Sequence, residues 1–179
     1  MQLFKNSHVR KIIKYFYKFI VTISIFECCP VNKKNISSKI KFYTVTCKNI
    51  VEKKKVLKNY FKNDKEKYKR FKHSIFFLLE NKNEIISCGW VCVKKNKKWN
   101  IEEIDKKINF KDKKILYDFE TNKKFRNMGY YTLLLKRIQN NFFKKKLLIY
   151  TQANNKASVR AITKSGFKFK YNLKKILII

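Results

Sequence analysis

The sequence predicts an α/β fold in which strands alternate with amphipathic helices, and three stretches carry that prediction. Residues 75–93 hold two apolar runs joined by a short polar turn, which is the pattern of a β-hairpin. Residues 115–138 contain a strand, a polar turn and a helix in direct succession. Residues 147–167 contain a short strand, a capped helix and the start of another strand. Together these stretches predict one unit organised around a sheet.

Length and composition fit one domain with a buried core. The chain has 179 residues, of which 45% are hydrophobic and 16% aromatic. Its formal net charge is +33, from 45 Lys and Arg against 12 Asp and Glu. The lysines are scattered through every segment, which favours a general compositional bias over a dedicated nucleic-acid surface. The charge is therefore a poor guide to function.

The cysteines do not indicate a metal site or a disulfide framework. None of the five forms a C-x-x-C pair, and the only histidines are His8 and His73. Cys88 and Cys92 lie at even spacing on one predicted strand, so both are expected to face the same way, into the core. No metal is expected, and reduced thiols fit a cytoplasmic location.

Residues 1–40 are interpreted as an N-terminal extension made of an amphipathic helix and a loop. Apolar side chains recur at helical spacing over residues 9–20, and the apolar run continues to Phe26. Lys14 and Lys18 interrupt any membrane span, and no small-residue cleavage site follows, so no transmembrane segment or signal peptide is expected. Two alternatives stay open: a helix packed on the domain, and a basic helix lying on a membrane surface.

The middle of the chain follows the same patterns. Residues 40–47 predict a strand, and residues 51–72 predict one or two helices broken near Asp64. Residues 94–112 form a charged connection with at most a short strand. Gly89, inside the second strand of the hairpin, predicts a bulge or a close approach of two backbones.

The strand, turn and helix at residues 115–138 have the features of an anion site. The first amides of a helix lack intrahelical partners and lie at the positive end of its dipole, so they can donate to phosphate oxygens. Arg126 can add a forked contact, and Gly129 permits close approach of a ligand to the backbone. The plain alternative is an ordinary strand-turn-helix with a surface arginine, because an R-x-x-G pattern alone is weak.

A second pattern strengthens the first. Asn155 is placed to cap a short helix, Gly166 ends that helix, and Phe167 begins the next strand. The two patterns occur in order and about thirty residues apart along the chain. In combination they are far more specific than either one alone.

With both patterns in place, the chain resembles the Gcn5-related N-acetyltransferase (GNAT) family. Arg126-x-x-Gly129 matches the first four positions of that family's R/Q-x-x-G-x-G/A phosphate loop. The asparagine and the Gly-Phe pair that follows it are similar to the family's signature on its fourth helix. The resemblance covers residues 113–171 well, and residues 41–112 only as a pattern of elements.

The resemblance implies a mixed, mostly antiparallel central sheet with flanking helices, in a domain spanning residues 41–179. It also implies that the fourth and fifth strands, here 113–121 and 147–153, splay apart. The wedge between them would receive the pantetheine arm of acetyl-coenzyme A, the acetyl donor. The amides of that arm would bond to the backbone of Phe119 and Thr121.

By the same resemblance, amides at the start of the helix hold the pyrophosphate, and the capped helix faces the other side of the cofactor. Tyr131 stands where the family usually has glycine or alanine, which leaves the tightness of cofactor binding open. The expected cofactor-binding residues are Phe119, Thr121, Arg126, Asn127, Met128, Gly129, Tyr130, Tyr131, Thr132, Asn155 and Ser158.

The family's usual catalytic groups do not carry over. Many members have a tyrosine seven residues after the capping asparagine, and that position is Ile162 here. Members that acetylate protein N-termini often keep a glutamate five residues before the asparagine, and that position is Tyr150. Proton transfer therefore has to be assigned to other side chains.

The remaining candidates near the expected wedge are Glu120, Asp118, Tyr117 and Tyr150. Of these, Glu120, as a base acting through water, and Tyr117 are taken as the catalytic residues. Strand alternation places Asp118 and Glu120 on one face and Tyr117 and Phe119 on the other, unless a bulge shifts the register. The plain alternative for Glu120 is a carboxylate that balances a neighbouring lysine.

Three functional hypotheses follow. The first is an acetyl-coenzyme A-dependent N-acetyltransferase acting on a primary amine of a small molecule or amino sugar, with a protein amine as the next option. The second is a catalytically silent protein of this fold that binds a coenzyme A-type ligand or a partner. The third is a basic nucleic-acid or anionic-surface binder, which would need its lysines clustered on one face. A homodimer is left open.

Overall fold

The fold is described from a computed structural model that covers residues 20–30, 32, 40–52, 54–62, 64–94 and 98–176. Short 3-10 turns lie at Arg70–Lys72, Glu102–Ile104 and Lys123–Phe125. In chain order the elements are β1 (Ile20–Cys28), β2 (Lys41–Val45), α1 (Lys54–Phe61), α2 (Lys65–Lys69), β3 (Ser74–Asn81), β4 (Glu84–Cys92), β5 (Lys98–Ile101), β6 (Lys106–Asn109), β7 (Lys113–Thr121), α3 (Tyr130–Asn141), β8 (Lys146–Gln152), α4 (Lys156–Lys164) and β9 (Lys168–Ile176).

Seven of the described strands form one sheet in the order β2-β3-β4-β7-β8-β1-β9. All neighbouring pairs are antiparallel except β7 and β8, which run parallel. β5 and β6 pair with each other in a separate two-stranded sheet. The predicted mixed, mostly antiparallel sheet with flanking helices is therefore confirmed.

The sheet has a packed core on each face. On one face, here named the α3 face, buried residues of α3 and α4 such as Leu134 and Ile162 pack on the sheet. On the other, the Trp90 face, Leu57 and Phe61 of α1 pack around Trp90. The β5–β6 hairpin covers the part of the Trp90 face near β1 and β8. Each face thus joins strands from distant parts of the chain.

The central elements agree with the sequence prediction. Asp64 separates α1 from α2, and its side chain accepts hydrogen bonds from the amides of Glu66 and Lys67. Lys82 and Asn83 both have positive φ in the tight turn between β3 and β4. The connection before β7 is more ordered than expected, because it holds the β5–β6 hairpin.

Residues 20–28, which the sequence pattern placed in an N-terminal extension of helix and loop, form β1 and belong to the sheet. β1 lies antiparallel between β8 and β9, and its last six residues are buried. The alternation of apolar residues with Thr22 and Ser24 spans only residues 21–25, so it did not separate this stretch from the helical pattern before it. Residues 1–19 and 33–39, which held most of the predicted helix and loop, lie outside the described residues.

The strand predicted to begin at Phe167 is β9, and its neighbour in the sheet is β1. Cys88 and Cys92 are buried on the Trp90 face, as predicted. No helix in the described ranges is both long and apolar enough to cross a membrane.

Candidate active site

The parallel strands β7 and β8 pair over only part of their length. Their ladder runs from Lys113 opposite Lys146 to Leu116 opposite Ile149. Beyond Leu116 the register partners of β7 are on β4 alone. The gap that opens there is the wedge, and it lies where the sequence predicted that the strands splay apart.

A pocket of about 650 Å³ opens at the end of this wedge. Every expected cofactor-binding residue lines it except Met128, whose side chain is 61% exposed. The pocket is lined by Phe119, Glu120, Thr121, Phe125, Arg126, Asn127, Gly129, Tyr130, Tyr131, Thr132, Asn155, Ala157, Ser158, Arg160, Ala161 and Lys164.

The turn between β7 and α3 is held by its own side chains. Asn122 accepts a hydrogen bond from the Lys124 amide at 3.3 Å, and Arg126 Nε donates to the Thr121 carbonyl at 3.2 Å. Asn127 and Gly129 have φ of 64° and 80°. No described atom lies within 4 Å of a Cβ built on Gly129, so its requirement here is the left-handed backbone.

The amides at the start of α3 have no partner among the described residues. The Leu133 amide donates to the Gly129 carbonyl at 3.0 Å, but none of the amides from Asn127 through Thr132 donates a described hydrogen bond. These donors line the pocket at the positive end of the helix dipole. The arrangement suits an anion with several oxygens, such as a diphosphate.

Helix α4 forms the opposite wall. Asn155 Oδ1 accepts a hydrogen bond from the Ser158 amide at 3.1 Å, which is the predicted cap, and Gly166 ends the helix region at φ 99°. Arg160 and Lys164 also line the pocket, and sequence reasoning missed them. Their signal was the four-residue spacing that places both on one face of the helix.

Tyr131 spans the pocket between its two walls. Its ring centroid lies 5.5 Å from that of Phe119 on β7. Burial raises the pKa of Tyr131 to about 12, and a hydrogen bond with Ser158 on α4 opposes that rise. Because the ring fills space that glycine or alanine would leave open, this pocket is narrower than its backbone alone would make it.

A bulge in β7 sets the direction of the candidate catalytic side chains. Trp90 pairs with Tyr117 and Cys88 pairs with Glu120, so two β7 residues lie opposite Gly89. A Cβ on Gly89 would lie 2.3 Å from Phe119 Cδ1, so the Phe119 ring lies against the Gly89 backbone; of the two predicted alternatives, the bulge is confirmed.

The bulge changes which side chains share a face. Tyr117 stacks with Trp90 at 6.5 Å, and Glu120 reaches Tyr60 of α1, so both turn toward the Trp90 face. Phe119 turns toward the α3 face, where it contacts Tyr131. Simple alternation had placed Tyr117 and Phe119 together, and the extra residue reverses that arrangement.

The two carboxylates of β7 have different partners. Asp118, at φ 52°, forms an ion pair with Arg70. The Arg70 guanidinium also lies 5.7 Å from the ring centroids of Trp90 and Tyr117. Glu120 Oε2 accepts a hydrogen bond from the Tyr60 hydroxyl at 2.9 Å. Only Glu120 of the two also lines the pocket.

The tyrosines near the wedge are engaged on the Trp90 face. Tyr117 donates to Ser74 Oγ at 2.9 Å, and burial raises its pKa. Trp99 Nε1 donates to Tyr150 Oη at 3.2 Å, and burial raises the pKa of Tyr150 to about 12. Ile162 is fully buried in the core of the α3 face. Of the two catalytic candidates, the structure places Glu120 at the pocket and Tyr117 away from its lining.

Solved structures of the same fold are similar to this chain over most of its length. A GCN5-related N-acetyltransferase from Sphaerobacter thermophilus has 10% identity and a TM-score of 0.55, over 93% of this chain and 54% of that one. One from Kribbella flavida has 8% identity and a TM-score of 0.53, over 93% and 60%. An acetyltransferase from the GNAT family of Colwellia psychrerythraea has 12% identity and a TM-score of 0.51, over 87% and 54%.

These likenesses concern the fold, and the chain spans between 54% and 60% of the length of these three neighbours. No curated protein sequence matches the chain. The sequence itself matches the Acetyltransferase (GNAT) family over residues 45–167, from the end of β2 to the residue before β9. With the parted strands and the pocket at their end, this match shows that the chain belongs to the GNAT acetyltransferase family.

Proposed function

We propose that this protein is an acetyl-coenzyme A-dependent N-acetyltransferase that acts on a primary amine of a small molecule or amino sugar. The observation that carries the proposal is the row of amides from Asn127 through Thr132, which have no described partner and face a pocket at the end of the wedge. A diphosphate is the natural acceptor for such a row. Family membership supports acetyl transfer as the chemistry.

The residues present fit acetyl-coenzyme A, which supplies the acetyl group as a thioester. The amides before α3 would hold its diphosphate, with Arg126 on one side and Arg160 and Lys164 on the other. The wedge beyond Leu116 leaves β7 backbone free of β8, so Phe119 and Thr121 could bond to the pantetheine amides.

The reaction needs a neutral amine. In the proposed step the acceptor ammonium loses a proton, through water, to the Glu120 carboxylate. The nitrogen forms a bond to the acetyl carbonyl carbon, the carbon–sulfur bond breaks, the nitrogen releases its second proton to water, and the thiolate takes a proton from solvent. The Tyr117 hydroxyl donates a hydrogen bond to Ser74 Oγ, and Tyr117 does not line the pocket. We therefore propose that Tyr117 supports the site through this contact and takes no part in proton transfer.

Two measurements test the proposal in sequence. Calorimetry with acetyl-coenzyme A should show saturable binding to the folded protein. A panel of amines and amino sugars should then be screened for release of free thiol from acetyl-coenzyme A. Thiol release that depends on one class of amine supports the proposal, and a folded protein that does not bind acetyl-coenzyme A overturns it.

A second candidate function has an observation in its favour. Tyr131 narrows the pocket, and Ile162 occupies the position of the family's usual acid. A catalytically silent protein that binds a coenzyme A-type ligand would show these features. Saturable binding with no thiol release across the whole panel would favour this candidate.

A further inference from the structure

The two carboxylates at the β7 bulge are held by partners of different charge. Asp118 is paired with the cationic Arg70, and Glu120 accepts a hydrogen bond from the neutral Tyr60 hydroxyl. A guanidinium cancels the charge of its carboxylate, whereas a phenol orients a carboxylate and leaves the negative charge in place. Glu120 is therefore the one of the two that stays available to accept a proton.

Tyr60 is itself fixed by the core of the Trp90 face. Its ring centroid lies 5.4 Å from that of Phe61 and 5.8 Å from that of Phe76, and Lys67 Nζ lies 5.3 Å above the ring. A ring packed in this way holds its hydroxyl at a set position relative to β7. An exposed glutamate samples several rotamers, so one bond from a fixed donor selects among them.

The Tyr60 hydroxyl also stays protonated. Burial raises its pKa, and the neighbouring Cys88 and Glu120 raise it further. The other titratable groups facing this site are Lys67 on α2 and Asp118 on β7, and burial raises the pKa of Cys88 on β4 to about 12. Tyr60 can therefore donate to Glu120 at every pH at which the protein is expected to work.

We propose that Tyr60 is a positioning residue that fixes the Glu120 carboxylate at the pocket as the proton acceptor of the transfer reaction. This inference rests on the proposed function. A hydrogen bond from a fixed donor restricts Glu120 to the rotamers that keep that bond. Its contact joins positions 60 residues apart in the chain.

The test is Tyr60→Phe, which removes the donor and keeps the ring. With the panel amine that gives the fastest thiol release, kcat should fall by about tenfold. The KM for acetyl-coenzyme A should stay unchanged, since Tyr60 does not line the cofactor pocket. A fall in kcat at unchanged KM separates a loss of positioning from a loss of cofactor binding.

Tyr68→Phe is the matched control. Tyr68 packs edge-on against Phe61 in the same aromatic cluster, at 5.1 Å, and its variant makes the same chemical change away from Glu120. Its kcat and its KM for acetyl-coenzyme A should stay at the wild-type values. A general loosening of the cluster would affect both variants, so the comparison separates positioning from packing.

A double-mutant cycle with Glu120→Gln completes the test. Glu120→Gln should lower kcat by about 100-fold, and adding Tyr60→Phe should lower it no further, since the two act as one unit. A Tyr60→Phe enzyme with the kcat of Tyr68→Phe, or an effect that adds fully to that of Glu120→Gln, would overturn this inference alone. A wild-type protein without thiol release would overturn the proposed function first.

Discussion

The two halves of the candidate site are built by different means. The half proposed for acetyl-coenzyme A consists mainly of consecutive backbone, from Arg126 to Thr132, at the start of one helix. The half proposed for the amine consists of side chains from separate elements, including Tyr60, Arg70 and Glu120. Backbone amides donate whatever side chain they carry, whereas side-chain contacts depend on each residue.

This difference shows which half of the site a family resemblance can predict and which half it cannot. A backbone cradle of the kind proposed can persist while its side chains change, so two short sequence patterns were enough to predict one here. The half proposed for the amine depends on contacts between residues that are far apart in the chain, and no local sequence pattern predicts such contacts. The variants below test whether the two halves can be perturbed separately.

Gly129→Asp should have the largest effect, on the cofactor half. It puts a side chain at φ 80° and a negative charge beside amides proposed to hold a diphosphate. We expect calorimetry to show affinity for acetyl-coenzyme A reduced on the order of 100-fold. The control is Val51→Asp, with the same change of charge at a site that is 76% exposed and outside the pocket lining. Equal affinities of Gly129→Asp and Val51→Asp for acetyl-coenzyme A would contradict the proposal that these amides bind the diphosphate.

Gly89→Ala should disturb the β7 bulge, which sets the directions of Phe119 in one half of the site and Glu120 in the other. The new Cβ would lie within 2.6 Å of three Phe119 ring atoms, so the ring or the strand has to move. We expect the free energy of unfolding to fall by about 1–3 kcal/mol, as for overpacking in other cores. Chemical denaturation measures this value.

A second variant checks the cause of that loss. In a Phe119→Ala background the added methyl group meets no ring, so Gly89→Ala should cost much less than it does in the wild type. The same cost in both backgrounds would mean that the bulge does not depend on this close approach.

Glu27→Gln should lower the stability of the protein without affecting either half of the candidate site. Glu27 is 8% exposed and binds Lys113 at 2.9 Å and Lys170 at 3.5 Å, at the paired end of β7 and β8. Burial alone would raise the pKa of Glu27, but these lysines outweigh it, and the pKa is lowered below its ordinary 4.5. We expect a loss of about 1–2 kcal/mol in the free energy of unfolding at neutral pH.

The sign of the pH dependence follows from the lowered pKa. The stabilisation is complete above the pKa of the unfolded chain and is lost as the pH falls through that of the folded protein. The gap between Glu27→Gln and wild type should therefore close in acid. Glu66→Gln, which breaks the exposed pair with Lys69, should cost less than about 0.5 kcal/mol. Equal losses in the free energy of unfolding for Glu27→Gln and Glu66→Gln would contradict the expectation that the buried ion pair contributes more than the exposed one.

Tyr131→Ala should have the smallest effect, within the cofactor half. Removing the ring between Phe119 and Ser158 should widen the pocket and raise the affinity for acetyl-coenzyme A by about threefold to tenfold. Tyr131→Phe keeps the ring and should leave the affinity near that of wild type. Weaker binding by Tyr131→Ala would show that the ring contributes contacts instead of narrowing the pocket.

The parts of the fold that the sequence predicted are those with local signals. The hairpin turn has residues that tolerate positive φ, and Asp64 and Asn155 are capping residues, so their helices could be placed. β1 has no such signal. Its residues are buried by β8 and β9, which come more than a hundred residues later, and only that pairing separates it from a helix.

The residues of the candidate site also divide into those with a local sequence signal and those without one. The residues that line the pocket could mostly be predicted, because they follow two short sequence patterns, and of the residues expected to bind the cofactor Met128 alone is absent from the lining. The directions of Tyr117 and Glu120 could not, because one extra residue at a bulge reverses alternation. The partners Tyr60 and Arg70 lie in a lysine-rich stretch that carries no motif, and only the fold brings them to β7.

The most direct test of the central claim follows the backbone amides themselves. NMR spectra that correlate amide nitrogen and hydrogen should be recorded while acetyl-coenzyme A is added to the isotope-labelled protein. The largest changes should fall on the amides from Asn127 through Thr132, which have no described partner without ligand. Saturation with these amides unmoved, and the changes spread over lysine-rich surface, would contradict the account.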